Sequence, residues 1–328
     1  ADMRAEDTHS PAPPWMLRAR WIFLSAVPSG LLIAVTAHIS TDVAAAPLLW
    51  VLPLSLYLLT WVLVFQSRPL LPHKFMLMLQ PLAIMGVILL LAIGIDQNLL
   101  LTLGGHQLCF FIIAMACHGE LARTRPAAKY LTGFYVALSF GGMVGGLFAG
   151  LIAPFTFSWV AEYPILVALA VLCRPPAEER WPKWSRWFWL LLAIIAVALI
   201  APSYSSGKIF TWLETNRVYV VGAVAVVSMI LAILLKADRW KLAAVVTLAL
   251  VLIRMYPSDD GRVETVRSFF GVHKIVVTPN GQYHVLMHGT TIHGAEKFKN
   301  DDGTPVTGRP EPITYYHREG GIGQAITA

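Results

Sequence analysis

At 328 residues, with 56% hydrophobic and 13% charged residues and a mean hydropathy of +0.62, the chain lies far from the roughly 25% charged composition of soluble domains, which makes it a multispanning membrane protein. Its formal charge of +6 does not mark a nucleic-acid binder, because the segment from Met255 onward holds acids and bases in about equal number and the excess sits in loops between apolar runs. The expected partner is the lipid bilayer, with no nucleic acid.

Residues 1–20 read as a polar amino-terminal segment. No signal-peptide pattern opens it, and the first residue is not Met, so a processed or fragmentary chain is expected. From 21 to 254 the chain reads as a helical membrane region. A hydrocarbon core about 30 Å thick takes about 20 apolar residues per helix. That rule places about nine spans, at 21–38, 43–65, 75–95, 99–117, 131–154, 159–173, 187–201, 218–235 and 242–253. Lys and Arg gather in every second loop. Arg18 and Arg20 precede the first span, and Arg68 with Lys74, Arg123 with Arg125 and Lys129, Arg174 with Arg180, Lys183 and Arg186, and Lys236 with Arg239 and Lys241 follow, while the loops between are poor and Lys208 is nearly alone in its own. Positive loops stay in the cytoplasm, so the amino terminus is expected to be cytoplasmic.

Within the spans, Gly141, Gly142, Gly145, Gly146 and Gly150 form a small-xxx-small pattern that lets helix backbones approach closely. Pro47 and Pro53 are expected to kink the second span. Asp42, Asp96, Glu162, His38 and His106 fall at span ends and read as interfacial groups in contact with water. No span carries a row of midplane charges that would argue for ion-coupled transport. Trp181, Trp184, Trp187 and Trp189 form an interfacial aromatic belt, and Cys109, Cys117 and Cys173 read as small buried side chains without a pairing pattern.

Composition switches once, at 256–261, and 255–328 reads as a soluble β-rich segment. Val272, Ile275, Val276 and Val277 lead to Thr278-Pro279-Asn280-Gly281, and Tyr283, Val285 and Met287 follow in alternation. Asn-Gly between two such runs signals a hairpin, whose type I′ turn needs positive φ at both central residues. Five of the ten histidines, His273, His284, His288, His293 and His317, fall here, yet no Cys or carboxylate completes a metal-ligand spacing. Gly320-Gly321-Ile322-Gly323 is not a phosphate loop, because no clear βαβ strand precedes it and no helix is expected to follow.

Three stretches, Arg267-Ser268-Phe269-Phe270-Gly271-Val272, His288-Gly289-Thr290-Thr291-Ile292-His293-Gly294 and Pro312-Ile313-Thr314-Tyr315-Tyr316-His317, resemble the start of the polyamine synthase domain of spermidine synthases. The resemblance is closer to bacterial membrane proteins in which a spermidine synthase-like domain follows a multispanning, transporter-like region. The implied fold is mostly α: a membrane helix bundle with a small C-terminal β-hairpin element, the nucleotide-binding half being absent after Gly323. The implied activity is aminopropyl-type transfer from decarboxylated S-adenosylmethionine to a polyamine-like acceptor, with cosubstrate binding supplied by a nucleotide-binding domain in cis or in trans. No cofactor is expected on this chain itself.

Soluble spermidine synthases carry Tyr-Gln where this chain has Phe270-Gly271, Asp-Gly where it has His288-Gly289, and Tyr-His-Glu where it has Tyr316-His317-Arg318. Tyr316 and His317 therefore carry over as substrate-binding residues, with Tyr315 beside them; packing of the β element against a partner domain explains the same residues equally well. No catalytic residue can be assigned, and the alternative is a non-catalytic, transporter-like membrane protein whose β tail binds a substrate or partner. Nine spans from a cytoplasmic start leave the tail outside, whereas a nucleoside cosubstrate is cytoplasmic, so the side of the tail stays open.

Overall fold

The computed structural model describes residues 11–43, 48–93, 99–176, 186–200, 215–235, 238–255, 262–269, 271–309 and 311–328. A helix meets each expected span: α1 Trp15–His38, α2 Val51–Val64, α3 His73–Ile93, α4 Leu99–Arg123, α5 Leu131–Leu147 with its extension α6 Ala153–Thr156, α7 Glu162–Leu172, α8 Arg186–Ile200, α9 Arg217–Leu234 and α10 Arg239–Met255. Among the described residues, four segments are long and apolar enough to cross a membrane, namely Trp15–Val43, His73–Ala92, Leu99–Arg123 and Ala128–Thr156; Val51–Val64, Glu162–Leu172, Trp187–Ala198 and Tyr219–Leu234 are shorter apolar helices.

Two boundaries differ from expectation for local reasons. Helix α1 begins at Trp15, inside the segment read as polar, because Pro14 supplies an extended backbone just before the first helical residue and its carbonyl receives the Leu17 and Arg18 N–H groups. Helix α2 begins only at Val51, so Pro53 lies in the first turn, where its missing N–H has no helical partner to lose, and it makes no kink. Pro47 and Asp96 lie outside the described residues.

Helices α1 and α5 pack at backbone contact, and the glycine pattern is the reason. A Cβ on Gly145 would run into the Ala26 carbonyl, and one on Gly141 into the Ile22 carbonyl. Ser25 donates to the Leu138 carbonyl at 2.7 Å and Ser29 to that of Gly142 at 3.0 Å, so hydrogen bonds close the seam where lipid offers no hydrophobic drive. Around it, Trp21, Leu24, Leu31, Val35, Ile84 and Phe110 fill the centre of the bundle, while Leu100, Phe155 and Val197 are exposed on its outside.

Helix α1 does not end in a cap. It widens into a π-helical turn, Ile39–Val43, and a second such turn, Phe148–Ile152, follows α5. Wide turns of this kind recur at functional sites because the extra residue redirects side chains.

The tail is a five-stranded antiparallel meander in the order β1 Arg262–Ser268, β2 Gly271–Val277, β3 Tyr283–His288, β4 Thr291–Lys297 and β5 Pro312–Ile313. The expected hairpin is its β2–β3 pair, with Val277 opposite His284 and His273 opposite His288. The element is thus a sheet rather than a lone hairpin, since β1 and β4 pair on either side. Its turn also differs from type I′. Pro279 occupies the second turn position, Gly281 N–H returns to the Thr278 carbonyl at 2.8 Å, and only Gly281 takes positive φ, +68°. Proline's fixed φ of about −65° is what rules out the mirror-image turn.

Side chains alternate across a strand. Val272, Lys274 and the cross-strand partners Arg267 and Thr265 face the bundle, whereas His273, Ile275, Leu286 and His288 face away. Gly289, at φ +60°, lies against the Ser40 and Thr41 carbonyls of the π turn, too close for any Cβ.

Candidate functional site

Two polar clusters mark opposite ends of the bundle. At the first, the fully buried carboxylate of Glu120 on α4 accepts from Arg20 of α1 at 3.0 Å, from Arg123 at 3.0 Å, and pairs with His73 of α3 at 2.8 Å. The backbone carbonyl of Arg174 receives Arg20 and Arg239, and Arg174 itself donates to the Leu77 carbonyl and Gln80. Arg20, Arg123, Arg174 and Arg239, each from or beside a Lys- and Arg-rich loop, thus meet at this end.

The second cluster lies at the other end of α1, about 27 Å away at 1.5 Å per residue between Arg20 and His38, close to the roughly 30 Å of a hydrocarbon core. Here the sheet meets the bundle. Asp42, on the π turn, accepts from Lys274 of β2 at 2.8 Å and from His38 Nδ1 at 3.1 Å. An ionised carboxylate only accepts, so His38 presents N–H on Nδ1, and in the neutral ring the lone pair is then on Nε2. Its ring stacks on Tyr163 of α7 at 5.0 Å and meets His106 of α4 edge-on at 4.8 Å, and the Tyr163 hydroxyl shares a 2.8 Å hydrogen bond with His106 Nδ1. Next to Tyr163, Glu162 forms a two-pronged pair with Arg267 of β1 at 2.7 and 2.9 Å, and Arg267 also donates to the Trp159 carbonyl at 2.6 Å. Gln107, buried beside His106, has no partner on either amide atom among the described residues.

Glu162, His106 and His38 are not the water-exposed interfacial residues that their span-end positions suggested, whereas the Asp42 side chain stays 23% exposed. Glu162 is 0% exposed, His106 1% and His38 9%, because the sheet roofs the bundle end and brings its own cations to the two carboxylates. A signal was available at one point: His38 and Asp42 stand four apart, the spacing that shares a helix face. Lys274 and Arg267 gave none, being ordinary charged positions in alternating strands.

Sequence-predicted residues occupy another place. Tyr315 and Tyr316 lie in a 3₁₀ turn, Thr314–Tyr316, after β5, and His317 follows. The Tyr316 ring packs over Gly294 of β4 and is 48% exposed, and His317 Nδ1 accepts from the Glu319 N–H at 3.2 Å. The Tyr315 side chain lies outside the described residues. Thr314 opens the turn at φ +68°, a left-handed conformation costly for a β-branched residue, and strain of this kind collects where a site is held in place. The glycines expected to open no helix do open one, a short Gly321–Thr327 segment labelled α11.

On the outward sheet face His273 stacks on His288 at 4.6 Å, and His293 meets His288 at 5.5 Å. Partial desolvation, with the neighbouring His288 and His293, holds His273 below its ordinary value. His284 pairs with Glu296 and stacks on Phe298 instead. Among the described residues, no group of three His, Cys, Asp or Glu side chains is arranged to hold a metal ion. The three cysteines are buried and free; Trp187 and Trp189 are exposed on α8, and Trp181 and Trp184 lie outside the described residues.

Compared with family models, with curated proteins and with solved structures, the chain matches none of them.

Proposed function

We propose that the chain is a multipass inner-membrane protein of the spermidine synthase-like membrane kind whose sheet serves as a binding module at the membrane face opposite the arginine-rich one. The observation that carries this reading is the position of the sheet: it docks on Asp42 and Glu162, at the far end of α1 and α4 from Arg20 and Glu120. Positive loops mark the cytoplasmic face. The sheet then faces the outside, where a nucleoside cosubstrate is not supplied. The substitutions Gly271, His288 and Arg318, at positions where soluble spermidine synthases carry Gln, Asp and Glu, point the same way.

The competing reading is aminopropyl-type transfer. Its support is the strained turn that presents Tyr316 and His317 beside the sheet. In that reading Tyr315, Tyr316 and His317 line a polyamine-like acceptor pocket, and a nucleotide-binding domain in cis or in trans brings decarboxylated S-adenosylmethionine and the acids that accept the proton.

Isothermal titration of the full chain in lipid nanodiscs separates the two. A nucleoside cosubstrate analogue and putrescine are titrated in turn. The binding-module reading expects no saturable binding of the nucleoside; saturable binding of both ligands overturns it and restores the transferase.

A further inference from the structure

We infer that His38 and Asp42 form a proton-binding site at the junction of bundle and sheet, and that proton uptake there loosens the hold of Lys274. The inference goes beyond the binding-module reading and needs neither a polyamine nor an orientation of the chain in the membrane. It rests on one carboxylate serving two partners. Asp42 Oδ1 takes the Lys274 ammonium and Oδ2 takes the His38 Nδ1–H, at 2.8 and 3.1 Å. While His38 is neutral, the cluster holds one anion and one cation. A proton arriving at Nε2 makes His38 a second cation on the same carboxylate, with no further anion to receive it.

The surrounding groups do not relieve that surplus. From α4 the ring faces His106, and from α7 it faces Tyr163, which share a hydrogen bond with each other and carry no negative charge; the Cys109 thiol lies near Tyr163. Glu162, next to Tyr163 in sequence, is held by both prongs of Arg267. Among the described residues, the sheet brings Lys274 to Asp42 and the backbone of Gly289 onto the Thr41 carbonyl. Imidazole is the side chain whose unperturbed protonation falls between about pH 5 and pH 8, and titratable groups inside a membrane bundle are functional candidates by default. The π turn gives the device its hinge: Asp42 stands on a wide turn rather than on the rigid body of α1. Protonation of His38 and attachment of Lys274 are therefore antagonistic, and the corner of the sheet at β2 and the β3–β4 turn lifts when the proton wins.

The test uses the full chain in lipid nanodiscs, read by mass spectrometry in two ways across about pH 5 to pH 8. Backbone hydrogen exchange, corrected for intrinsic rates, reports opening of residues 271–289, and exchange at histidine C2 reports the titration of each imidazole in the same sample. Wild type should open by about tenfold as pH falls, the factor that one pH unit of linkage supplies, with a midpoint matching that of His38. His38→Gln should flatten the step, and Asp42→Asn should leave the corner open throughout. The outward-face histidines give both proteins the same acid background, so the difference between wild type and His38→Gln is the quantity read. An unchanged step in His38→Gln overturns the inference. If that variant does not fold, a His38 titration in wild type that is absent or displaced from the opening midpoint overturns it as well.

Discussion

Arg267 concentrates at one residue what fixes the sheet to the membrane. Its guanidinium is 6% exposed, matches both oxygens of a fully buried Glu162, and spends another N–H on the Trp159 carbonyl. A bidentate pair of this geometry is strong, but its larger effect appears on truncation, since the surviving carboxylate stays buried and unpaired. Arg267→Met should weaken docking by about 3–5 kcal/mol, leaving the helical content of the bundle in place, and limited proteolysis will then release the tail far faster than in wild type. An unchanged cleavage rate would show that apolar contact, through Val272, does the holding. Thr314 gives a prediction of opposite sign. Thr314→Gly removes the left-handed strain and should stabilise the sheet by about 1 kcal/mol, measured as a shift of the tail's urea midpoint.

At the scale of elements, α1 and α5 depend on glycine for contact. Gly145→Leu cannot be absorbed by a rotamer change, because the obstruction is the Ala26 backbone. The helices must part, the Ser29 to Gly142 hydrogen bond breaks, and the thermal midpoint in detergent falls, with a cost of about 3 kcal/mol or more from overpacking. The sheet has its own acid limit. His273 titrates below its ordinary 6.5, so the unfolded tail binds the proton first; the stability it contributes is complete above about 6.5 and is lost as pH falls through that value. Tail unfolding followed by tyrosine fluorescence should move to lower urea on acidification, and His273→Asn should remove part of that dependence.

Local and periodic features were the ones legible in the sequence. The nine apolar runs, the β2–β3 pair, the glycine seam and the alternation of charged loops all depend on neighbours within a few residues. What escaped depends on chain separation: Glu162 meets Arg267 across 105 positions and Asp42 meets Lys274 across 232, and no spacing rule reaches that far. The turn at Asn280 was misread for a local reason, Pro279, which lay in plain sight. Tyr316 and His317 were placed beside the sheet without any sign that Thr314 strains the turn holding them.

For the whole molecule the arrangement predicts which side each end faces. Cys109, Cys117 and Cys173 are buried, so single exposed cysteines can be read against a silent background. In spheroplasts, an impermeant maleimide should label Asp302→Cys in the tail and should reach Ala128→Cys, beside Arg125, only after permeabilisation. The reverse pattern would place the sheet in the cytoplasm and return the transferase reading to first place.

The same long separations set a timetable for synthesis. At about 5–20 residues per second, Arg20 waits some 5–20 s for Glu120, 100 positions later. Asp42 enters the nascent bundle with only His38 beside it and waits roughly 10–50 s until Lys274, 232 positions on, leaves the ribosome. During that interval the two-histidine pocket is roofless, and the helices are held by the glycine seam, the apolar core and, once it is made, the Arg20–Glu120 pair. The tail is therefore the closing step of assembly, and a ribosome stalled before β1 would leave a membrane bundle with Glu162 and Asp42 still lacking Arg267 and Lys274.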